Sequence, residues 1–392
     1  MVPKGWSEGQ VQDFLFLQRG FDLTAKQAVD GNIPVYSSSG LAYFHNESKV
    51  RGPGIVTGRK GSVGPVYLIN EDFWPHDTTL WVKDFKGNDI KYIEYFLRFL
   101  RLERFDEASS VPTLNRNNVH GVKCVFPPLP EQKKIAQILS TWDKAISTTE
   151  QLLANSQQQK KALMQQLLTG KKRLLDQNGE RFEGEWRDYH LSHVAEVIVS
   201  PVDKKSIEGE VPVELCNYTD VYYNHEITRR LNFMKATAKP AEIKKYTLKI
   251  NDVIITKDSE TPGDIAVPAL VSEDLNGVVC GYHLAIVRPK KEVISGAFLN
   301  YLFSMPKTRY YFFTLATGAT RFGLSVGGIN QSHFRFPPLK EQQKIAAVLS
   351  AADQEITTLQ QQLDQLKQEK KALMQQLLTG KRRVKVGGVG NA

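Results

Sequence analysis

Two stretches of this chain have nearly the same sequence. Residues 127–146 read PPLPEQKKIAQILSTWDKAI, and residues 337–356 read PPLKEQQKIAAVLSAADQEI. Further along, residues 160–173 (KKALMQQLLTGKKR) match residues 370–383 (KKALMQQLLTGKRR), and both pairs lie 210 positions apart. A match at one fixed displacement indicates an internal duplication. The segments in front of the two stretches should therefore share a fold as well.

Within each stretch the apolar residues recur in alternating steps of four and three, which is the a/d pattern of a coiled coil. Each run ends in Leu-Leu-Thr-Gly, where Gly170 or Gly380 can adopt the left-handed conformation after the last turn. We predict two helices, from about residue 131 to 168 and at the equivalent positions of the second copy, each spanning about 57 Å. The predicted seam residues are Ile135, Leu139, Trp142, Ile146, Leu153, Leu163 and Leu167 in the first helix, and Ile345, Leu349, Ile356, Leu359, Leu363, Leu366, Leu373 and Leu377 in the second.

A heptad helix most often dimerises, but two matched helices in one chain pair at a lower entropic cost. Lys160 and Lys370 fall on the seam, where a buried charge would weaken the pair and fix its register. An antiparallel pair would place the two globular segments at opposite ends about a pseudo-twofold axis. We expect the paired helices to form a rigid spacer.

The predicted fold class is α+β, with two mixed, strand-rich domains separated by two long helices that form an antiparallel coiled coil. Strand-like runs include IPVYSSSGLAYF and GIVTGRKGSVGPVYLI in the first domain, and VPVELCNYTDVYY and LKINDVIITKD in the second. Helices are predicted in IKYIEYFLRFLRLERF and GAFLNYLFSMPKTRYYFF. The predicted segments are a first domain (1–128), a helix (129–172), a linker (173–185), a second domain (186–338), a second helix (339–383) and a basic, glycine-containing tail (384–392).

The composition restricts the location and the chemistry of the protein. The net charge of +9 comes mostly from the helical stretches, so it does not by itself show that the globular segments bind nucleic acid. Cys124, Cys216 and Cys280 have no CxxC spacing, and we expect buried thiols in a reducing compartment. The sequence has no run of eighteen apolar residues and no apolar signal segment at its start, which favours a cytoplasmic protein without a membrane span.

These motifs resemble the specificity subunit of type I restriction–modification enzymes. The resemblance is carried by Pro-Pro-Leu-x-Glu-Gln-x-Lys-Ile-Ala, by the ending Leu-Leu-Thr-Gly-Lys, and by the twofold order of globule and helix. IVTGRKGSVGPVY in the first segment, and NYTDVYY with ITKDSETPGDIAVPA in the second, resemble two classes of target recognition domain. Together the motifs cover essentially the whole chain.

The resemblance implies a subunit without catalysis of its own. Each recognition domain would read one half of an asymmetric bipartite site in double-stranded DNA, and the paired helices would set the unread gap. The helices would also dock two modification subunits, which use S-adenosylmethionine to methylate adenine. Two restriction subunits could add ATP- and Mg-dependent cleavage. The chain itself is expected to hold no cofactor, and it contains no NPPY- or DPPY-type methylase motif and no Walker A motif.

Given the family, the glycine-rich turn 58–64 is the first candidate for DNA contact. Arg59 could fork onto guanine or phosphate, while Lys60 and Ser62 would hold phosphate. The alternative is an ordinary glycine turn with solvated charges. Further candidates are the hydroxyl-rich residues Tyr36, Ser38 and Tyr43, and Asn115, Arg116 and Asn117 in the polar loop before the first long helix; a purely structural role is the alternative for each.

In the second segment the equivalent stretch is 256–260. Lys257 could act as Arg59 does, and Ser259 lies beside it. The acidic residues there, such as Asp258, are expected to contact cytosine amino groups or to make structural hydrogen bonds. The loop before the second helix adds Thr320, Arg321 and Ser325. His283 precedes a strand-like run and is expected to belong to the core or to a structural network.

Two other functions remain open at this stage. One is a coiled-coil scaffold or adaptor with protein-binding globules. The other is a nuclease built on Glu242 and Lys244 with Asp203, but such a triplet is common by chance and a metal site needs acids on adjacent strands. The histidines show no HxxxH or HExxH spacing, so no metal site is predicted.

Overall fold

The computed structural model describes residues 2–106 and 110–386. The chain folds into two compact units, and each unit contains part of both long helices. Unit 1 consists of residues 1–151 and 360–392, and unit 2 consists of residues 152–359. The tail predicted at 384–392 lies mostly outside the described residues.

Unit 1 contains nine strands and three helices before the first long helix, counted over its described residues. The strands are β1 Ser7–Gln10, β2 Phe16–Arg19, β3 Ile33–Ser37, β4 Gly40–His45, β5 Gly54–Gly58, β6 Val66–Ile69, β7 Trp74–Pro75, β8 Thr79–Asp84 and β9 Lys123–Phe126. The helices are α1 Val11–Phe14, α2 Ile90–Leu100 and α3 Arg116–His120, with a 3₁₀ turn at Leu102–Phe105. The first long helix, α4, is Leu129–Leu167.

The strands of unit 1 form three sheets. A four-stranded sheet has the order β2-β8-β5-β6, a three-stranded sheet has the order β4-β3-β7, and β1 pairs with β9. Residues 58–64 connect the antiparallel strands β5 and β6, so the predicted hairpin turn is confirmed. The amphipathic helix predicted around residue 96 is confirmed as α2, whose face Ile93, Phe96, Leu97 and Leu100 is buried.

Unit 2 follows the same plan with more strands. These are β10 Arg187–His190, β11 Ala195–Val199, β12 Val211–Cys216, β13 Glu226–Ile227, β14 Met234–Ala238, β15 Val253–Thr256, β16 Asp258–Ser259, β17 Pro268–Val271, β18 Val279–Cys280, β19 Leu284–Pro289, β20 Phe322–Gly323 and β21 His333–Phe336. The helices are α5 Leu191–Val194, α6 Tyr218–Tyr222, α7 Pro240–Tyr246, α8 Gly296–Ser304, α9 Pro306–Leu315 and α10 Val326–Asn330, with a 3₁₀ turn at Pro262–Asp264; the second long helix is α11 Leu339–Leu378.

The sheets of unit 2 include a five-stranded sheet with the order β11-β19-β15-β17-β13 and a three-stranded sheet with the order β14-β12-β18. The two-stranded ladder β10-β21 matches β1-β9 of unit 1, because Arg187 faces Phe336 just as Ser7 faces Phe126. Each ladder closes its globular domain directly before a long helix. The units therefore share a plan, as the duplication predicts.

Two predicted elements differ from the structure. The single helix predicted over 296–313 is two helices, α8 and α9, because Pro306 lacks an N–H and its ring clashes with the preceding turn. The strand predicted over 211–223 ends at Cys216, and a short helix, α6, follows. Asp220 accepts a hydrogen bond from the Asn217 N–H at 2.7 Å, which starts that helix.

The long helices pair antiparallel within each unit. In unit 1, Asp143 binds Lys370 and Glu150 binds Lys367. In unit 2, Ser156 bonds to Glu355 and Lys160 binds Asp353. In both units the residue number falls along α11 as it rises along α4, so the predicted antiparallel coiled coil is confirmed. Gly170 and Gly380 have φ of 71° and 70°, the left-handed conformation expected after each helix.

The predicted seam residues are all buried or half-buried. They also complete the core of each globular domain. In unit 1, Ile135 and Leu139 from the start of α4 and Leu377 from the end of α11 pack with the core of the strand domain. In unit 2, Leu167 from the end of α4 and Ile345 from the start of α11 do the same. Each globular core thus depends on the beginning of one helix and the end of the other.

The glutamate of the Pro-Pro-Leu-x-Glu-Gln motif connects the start of each long helix to the end of the other. Glu131 is 2% exposed and binds the guanidinium of Arg383 at 2.7 Å. Its equivalent Glu341 is fully buried and binds Arg173 at 2.6 Å. The arginine that follows each helix therefore neutralises a buried carboxylate at the start of the other helix through a charge-assisted hydrogen bond.

The seam lysines are not isolated charges. Asp143 accepts hydrogen bonds from Lys370 and from the hydroxyl of Tyr95 on α2. In unit 2 Asp353 does the same with Lys160 and Tyr301. Burial opposes ionisation of Asp143, but the bonds from Lys370 and Tyr95 outweigh it and hold the pKa of that carboxyl below its usual value. The predicted buried charge is thus a paired one, tied to the globular domain through a tyrosine.

The cysteines agree with the prediction of free thiols. Cys216 and Cys280 are buried, and Cys124 is half-buried. Burial raises the pKa of Cys124 to about 12 and that of Cys216 well above its usual value, which makes these thiols unreactive. Within the described residues, no helix is long and apolar enough to cross a bilayer.

We expect the seam pair Asp143–Lys370 to contribute to stability only while both side chains are present. Lys370→Met should lower the free energy of unfolding by about 1–3 kcal/mol, because it leaves the half-buried Asp143 without its cation. Adding Asp143→Leu should restore most of the loss. Urea denaturation monitored by circular dichroism measures both.

The matched control is Lys367→Met, which breaks the exposed pair with Glu150 in the same helices. Both side chains are about half exposed, at 52% and 48%, so this change should cost less than about 0.5 kcal/mol. Equal losses for Lys370→Met and Lys367→Met would contradict a special role for the seam pair.

Candidate nucleic-acid interface

The glycine-rich turn of unit 1 is clamped to its neighbours by backbone hydrogen bonds. The amides of Arg59 and Lys60 donate to the Thr78 carbonyl at 2.8 and 3.0 Å, and the amide of Leu114 donates to the Arg59 carbonyl at 2.7 Å. A Cβ at Gly58 would lie 1.7 Å from the Ser62 carbonyl oxygen, so only glycine allows this approach. These backbone hydrogen bonds hold the turn in one conformation.

The side chains of this turn leave donors available. The Arg59 guanidinium donates from Nη1 to the Asp77 carbonyl at 3.0 Å, its only side-chain hydrogen bond within the described ranges. Lys60 and Ser62 are exposed. The Asp77 carboxylate is already bound by Arg19 at 2.9 Å. Arg59 is thus positioned by a carbonyl, and its remaining N–H groups make no other side-chain hydrogen bond within the described ranges.

The three hydroxyl-rich candidates lie in different surroundings. Ser38 lies beside the turn, since a Cβ at Gly61 would meet its Oγ at 3.5 Å. Tyr36 is half-buried, with its ring near those of Tyr67 and Phe73, and burial raises its pKa. The Tyr43 hydroxyl donates to a backbone carbonyl and its ring packs on a small apolar cluster. Tyr43 therefore has a structural contact away from the turn.

The polar residues 115–117 were expected in a loop, but Arg116 and Asn117 begin the short helix α3. Asn115 caps that helix by accepting a hydrogen bond from the Asn117 amide at 3.0 Å, which is a local bond that a loop prediction does not consider. The Arg116 guanidinium lies 5.7 Å from the centre of the Phe16 ring. All three side chains are exposed, and the Leu114 bond joins this helix to the turn.

Unit 2 contains the same backbone hydrogen-bond pattern, which we call the clamp, with different side chains. The amide of Leu324 donates to the Lys257 carbonyl at 2.9 Å, as Leu114 does to Arg59, and the amide of Lys257 donates to the His283 carbonyl at 2.8 Å. Lys257 is therefore the structural equivalent of Arg59. The ladder β16-β20 brings Ser259 against Phe322, which places Arg321 beside Asp258.

Asp258, Ser259, His283 and Arg321 line a cavity of about 460 Å³. Its walls combine tyrosine rings with charged groups: Lys204, Tyr218, Thr219, Tyr222, Tyr223, Asp258, Ser259, Glu260, Thr261, Asp264, His283 and Arg321. The rings of Tyr218 and Tyr222 stack with centroids 5.6 Å apart. Their hydroxyls donate to Ser259 at 3.3 Å and to Asp264 at 3.0 Å. A cavity with aromatic walls and polar edges suits a nucleobase better than a phosphate alone.

Two roles were expected for Asp258, contact with cytosine or structural bonding, and its contacts within the protein are those of the structural role. Lys257 Nζ lies 3.3 Å from its carboxylate, Arg321 Nε lies 3.5 Å away, and His283 Nδ1 contacts it directly. Thr320 and Ser325 are exposed, and Ser325 caps α10 by accepting a hydrogen bond from the Gly328 amide at 3.0 Å. His283 was expected in the core or in a structural network; it lies in a network with Asp258 and Arg321, in the wall of the cavity.

The tyrosines of α6 were missed. The run NYTDVYY carried a signal, because three tyrosines beside polar residues are unusual for a buried strand. The position of His283 had no such signal, since it depends on a backbone conformation with φ of +74°.

Glu242, Lys244 and Asp203, the residues of the alternative nuclease hypothesis, do not form a catalytic metal site. Glu242 lies on α7 and accepts a hydrogen bond from the Lys239 amide at 2.9 Å, so it caps the helix in which Lys244 also lies. Asp203 pairs with Lys205 at 3.0 Å. Across residues 2–106 and 110–386, no group of three or more His, Cys, Asp or Glu side chains could hold a metal ion.

Comparison with known proteins extends these observations. The family model of the type I restriction modification DNA specificity domain matches residues 3–155 and 183–368. The type I restriction enzyme MjaVIII specificity subunit of Methanocaldococcus jannaschii is 25% identical, over 98% of this chain and 94% of that protein.

Two solved structures share the fold. The S subunit of a type I restriction–modification system from M. genitalium has a TM-score of 0.61 at 16% identity and covers 96% of this chain and 99% of its own. The HsdS subunit from Thermoanaerobacter tengcongensis has a TM-score of 0.52 at 16% identity, with coverage of 97% and 98%. Because the family model matches both halves of the chain, the protein belongs to the type I restriction–modification DNA specificity family and is a DNA-sequence-recognition subunit.

Proposed function

We propose that each unit reads one half of an asymmetric, bipartite site in double-stranded DNA. The observation that carries this proposal is the shared clamp, in which Leu114 bonds to Arg59 and Leu324 bonds to Lys257. The two units present the same backbone surface with different side chains. A duplicated scaffold with diverged side chains suits two different half-sites better than one repeated half-site.

In this proposal the paired helices set the unread gap between the half-sites. Each helix is continuous over 39 or 40 residues, which corresponds to about 60 Å. The number of heptads then determines the number of unread base pairs, because duplex DNA rises about 3.4 Å per base pair.

The helices also dock two modification subunits in this proposal. Support comes from a groove of about 610 Å³ in unit 1, between α4 and α11. Its apolar floor includes the half-buried Trp142, and its rim includes Lys134 and Arg382. An aromatic anchor with a charged rim is the composition typical of a protein-binding hot spot.

Catalysis belongs to the partner subunits in this proposal. The modification subunits bind S-adenosylmethionine and methylate adenine, and two restriction subunits, where present, use ATP and Mg. The recognition chain itself holds neither cofactor. The first experiment is to read the methylated motif in genomic DNA from cells that carry this gene. A bipartite motif supports the proposal. If the assembled complex bound specific and random duplexes equally at moderate salt, the scaffold function would replace it.

Replacing residues 1–126 with the corresponding domain of another family member should change one half-site and leave the other unchanged. The reason is that all the candidate DNA-contacting residues of unit 1, from Tyr36 to Asn117, lie within the replaced segment. Sequencing of methylated DNA from cells that express the chimera reads both half-sites. A change in both half-sites after this single replacement would contradict independent reading.

Deleting one heptad from each helix should shorten the gap. Residues 148–154 and 358–364 are equivalent positions, and their removal keeps both Asp–Lys seam pairs. Seven residues correspond to about 10 Å, or about three base pairs. The methylated motif again provides the measurement, and an unchanged gap would show that the helices do not set it.

Arg59→Ala should weaken specific binding by about 1–3 kcal/mol and relax one position of one half-site, if Arg59 contacts a base. Arg51→Ala is the matched control, because Arg51 is an exposed arginine near the other end of β5. Binding of the assembled complex to duplexes with single substitutions distinguishes the two variants. A uniform loss across all sequences would indicate a phosphate contact instead.

A further inference from the structure

The Asp258 carboxylate organises three cationic or polar side chains in unit 2. It is mostly buried, with 11% of its side chain exposed, and it contacts Lys257, His283 and Arg321. A mostly buried carboxylate that contacts three such side chains is poorly placed to reach a cytosine amino group. Its role is to hold the neighbouring side chains in place.

His283 connects Asp258 to Arg321. Its Nδ1 contacts the Asp258 carboxylate, and Arg321 Nη2 lies 3.2 Å from Nδ1 and 3.0 Å from Nε2. The imidazole therefore lies in contact with both the carboxylate and the guanidinium. Burial lowers the pKa of His283; Asp258 acts in the opposite direction, and Arg321 lowers the pKa further. The neutral imidazole, which does not repel the neighbouring guanidinium, is therefore the favoured form.

The backbone of His283 is held in a costly conformation. Its φ of +74° is left-handed, which a residue with a Cβ rarely adopts. The hydrogen bond from the Lys257 amide to the His283 carbonyl fixes it there. Residues that persist in such conformations cluster at functional sites. In this case the conformation places the imidazole between the buried carboxylate and the exposed arginine.

Arg321 is held along one side and free along the other. Nε lies near Asp258 and Nη2 near His283, while Nη1 has no partner among the residues that the structure describes. Its side chain is 56% exposed. Nη1 and the second hydrogen of Nη2 form an outward fork, which matches the paired acceptors O6 and N7 of guanine.

The charges around Arg321 favour a base over a phosphate. The acidic residues Asp258, Glu260 and Asp264 line the same cavity. A phosphate there would be repelled by these carboxylates, whereas a base edge carries no net charge. The stacked rings of Tyr218 and Tyr222 add apolar surface next to it.

We propose that Asp258 and His283 position Arg321 to read a guanine in the half-site recognised by unit 2; this inference rests on the proposed function. Arg321 is the residue that contacts the base, and the other two are positioning residues. Lys257, the equivalent of Arg59, is engaged by Asp258, so the base-reading arginine comes from a different element in each unit.

The test uses the complex assembled with its modification subunits and duplexes that carry the genomic motif. Each guanine of the unit 2 half-site is replaced in turn by 7-deazaguanine, which lacks the N7 acceptor. At one position the unaltered complex should bind about 5- to 100-fold more weakly. Arg321→Ala should bind the natural duplex correspondingly weakly and should no longer distinguish guanine from 7-deazaguanine at that position.

His283→Asn tests positioning separately from folding. Asparagine tolerates the left-handed backbone, and its short side chain does not reach both Asp258 and Arg321. We expect a reduced 7-deazaguanine penalty at the same position and unchanged discrimination in the other half-site. A purely structural role would weaken every position of the unit 2 half-site equally. Arg230→Ala, an exposed arginine of the same unit, is the matched control and should leave all penalties unchanged.

Three outcomes would overturn the inference: a unit 2 half-site without guanine, a full 7-deazaguanine penalty retained by Arg321→Ala, or equal weakening at all positions in His283→Asn. Failure of the proposed function gives a different result. In that case the unaltered complex would not distinguish the motif from random duplex, and the analogue would have no effect at any position.

Discussion

Each globular core of this protein is incomplete without the ends of two helices. Leu377 from the end of α11 and Ile135 from the start of α4 are both fully buried in the core of unit 1, and Leu167 and Ile345 are their equivalents in unit 2. Burying one such side chain is worth about 1.5–3 kcal/mol, so these contacts strongly favour the antiparallel arrangement. A parallel pair would leave the same leucines in water.

The polar contacts at the helix ends make this arrangement specific. A buried carboxylate such as Glu131 or Glu341 is stable only with a cation, and in each unit that cation is an arginine that follows the other helix. Asp143 and Asp353 act similarly on the seam, where each also accepts a hydrogen bond from a tyrosine of its globular domain. The repeated motif is therefore conserved between the two copies for assembly, which leaves the globular surfaces free to diverge.

The surfaces of the two globular domains can differ because their shared backbone hydrogen bonds do not depend on particular side chains. The backbone clamp of Leu114 on Arg59 and of Leu324 on Lys257 uses only main-chain atoms, so side chains around it can change without loss of the clamp. Unit 1 holds its arginine with a carbonyl, and unit 2 holds its arginine with a carboxylate and an imidazole. Two copies of one scaffold thus carry different side chains around the same backbone hydrogen bonds.

The sequence alone determined the duplication, the long helices, their seam and the family, because a heptad pattern and a repeated motif are local signals that tertiary contacts do not alter. It also located the turn 58–64 and its counterpart at Lys257. Only the tertiary structure decided that Tyr43 has a structural hydrogen bond, that Asn115 and Ser325 cap short helices, and that His283 lies in the cavity wall beside Asp258 and Arg321. The Tyr43 and His283 outcomes depend on contacts between residues that are distant in sequence, and for His283 on a left-handed backbone angle, which a local pattern does not encode. The two caps are local bonds, but a polar residue before a short helix resembles a polar loop until the helix itself is seen.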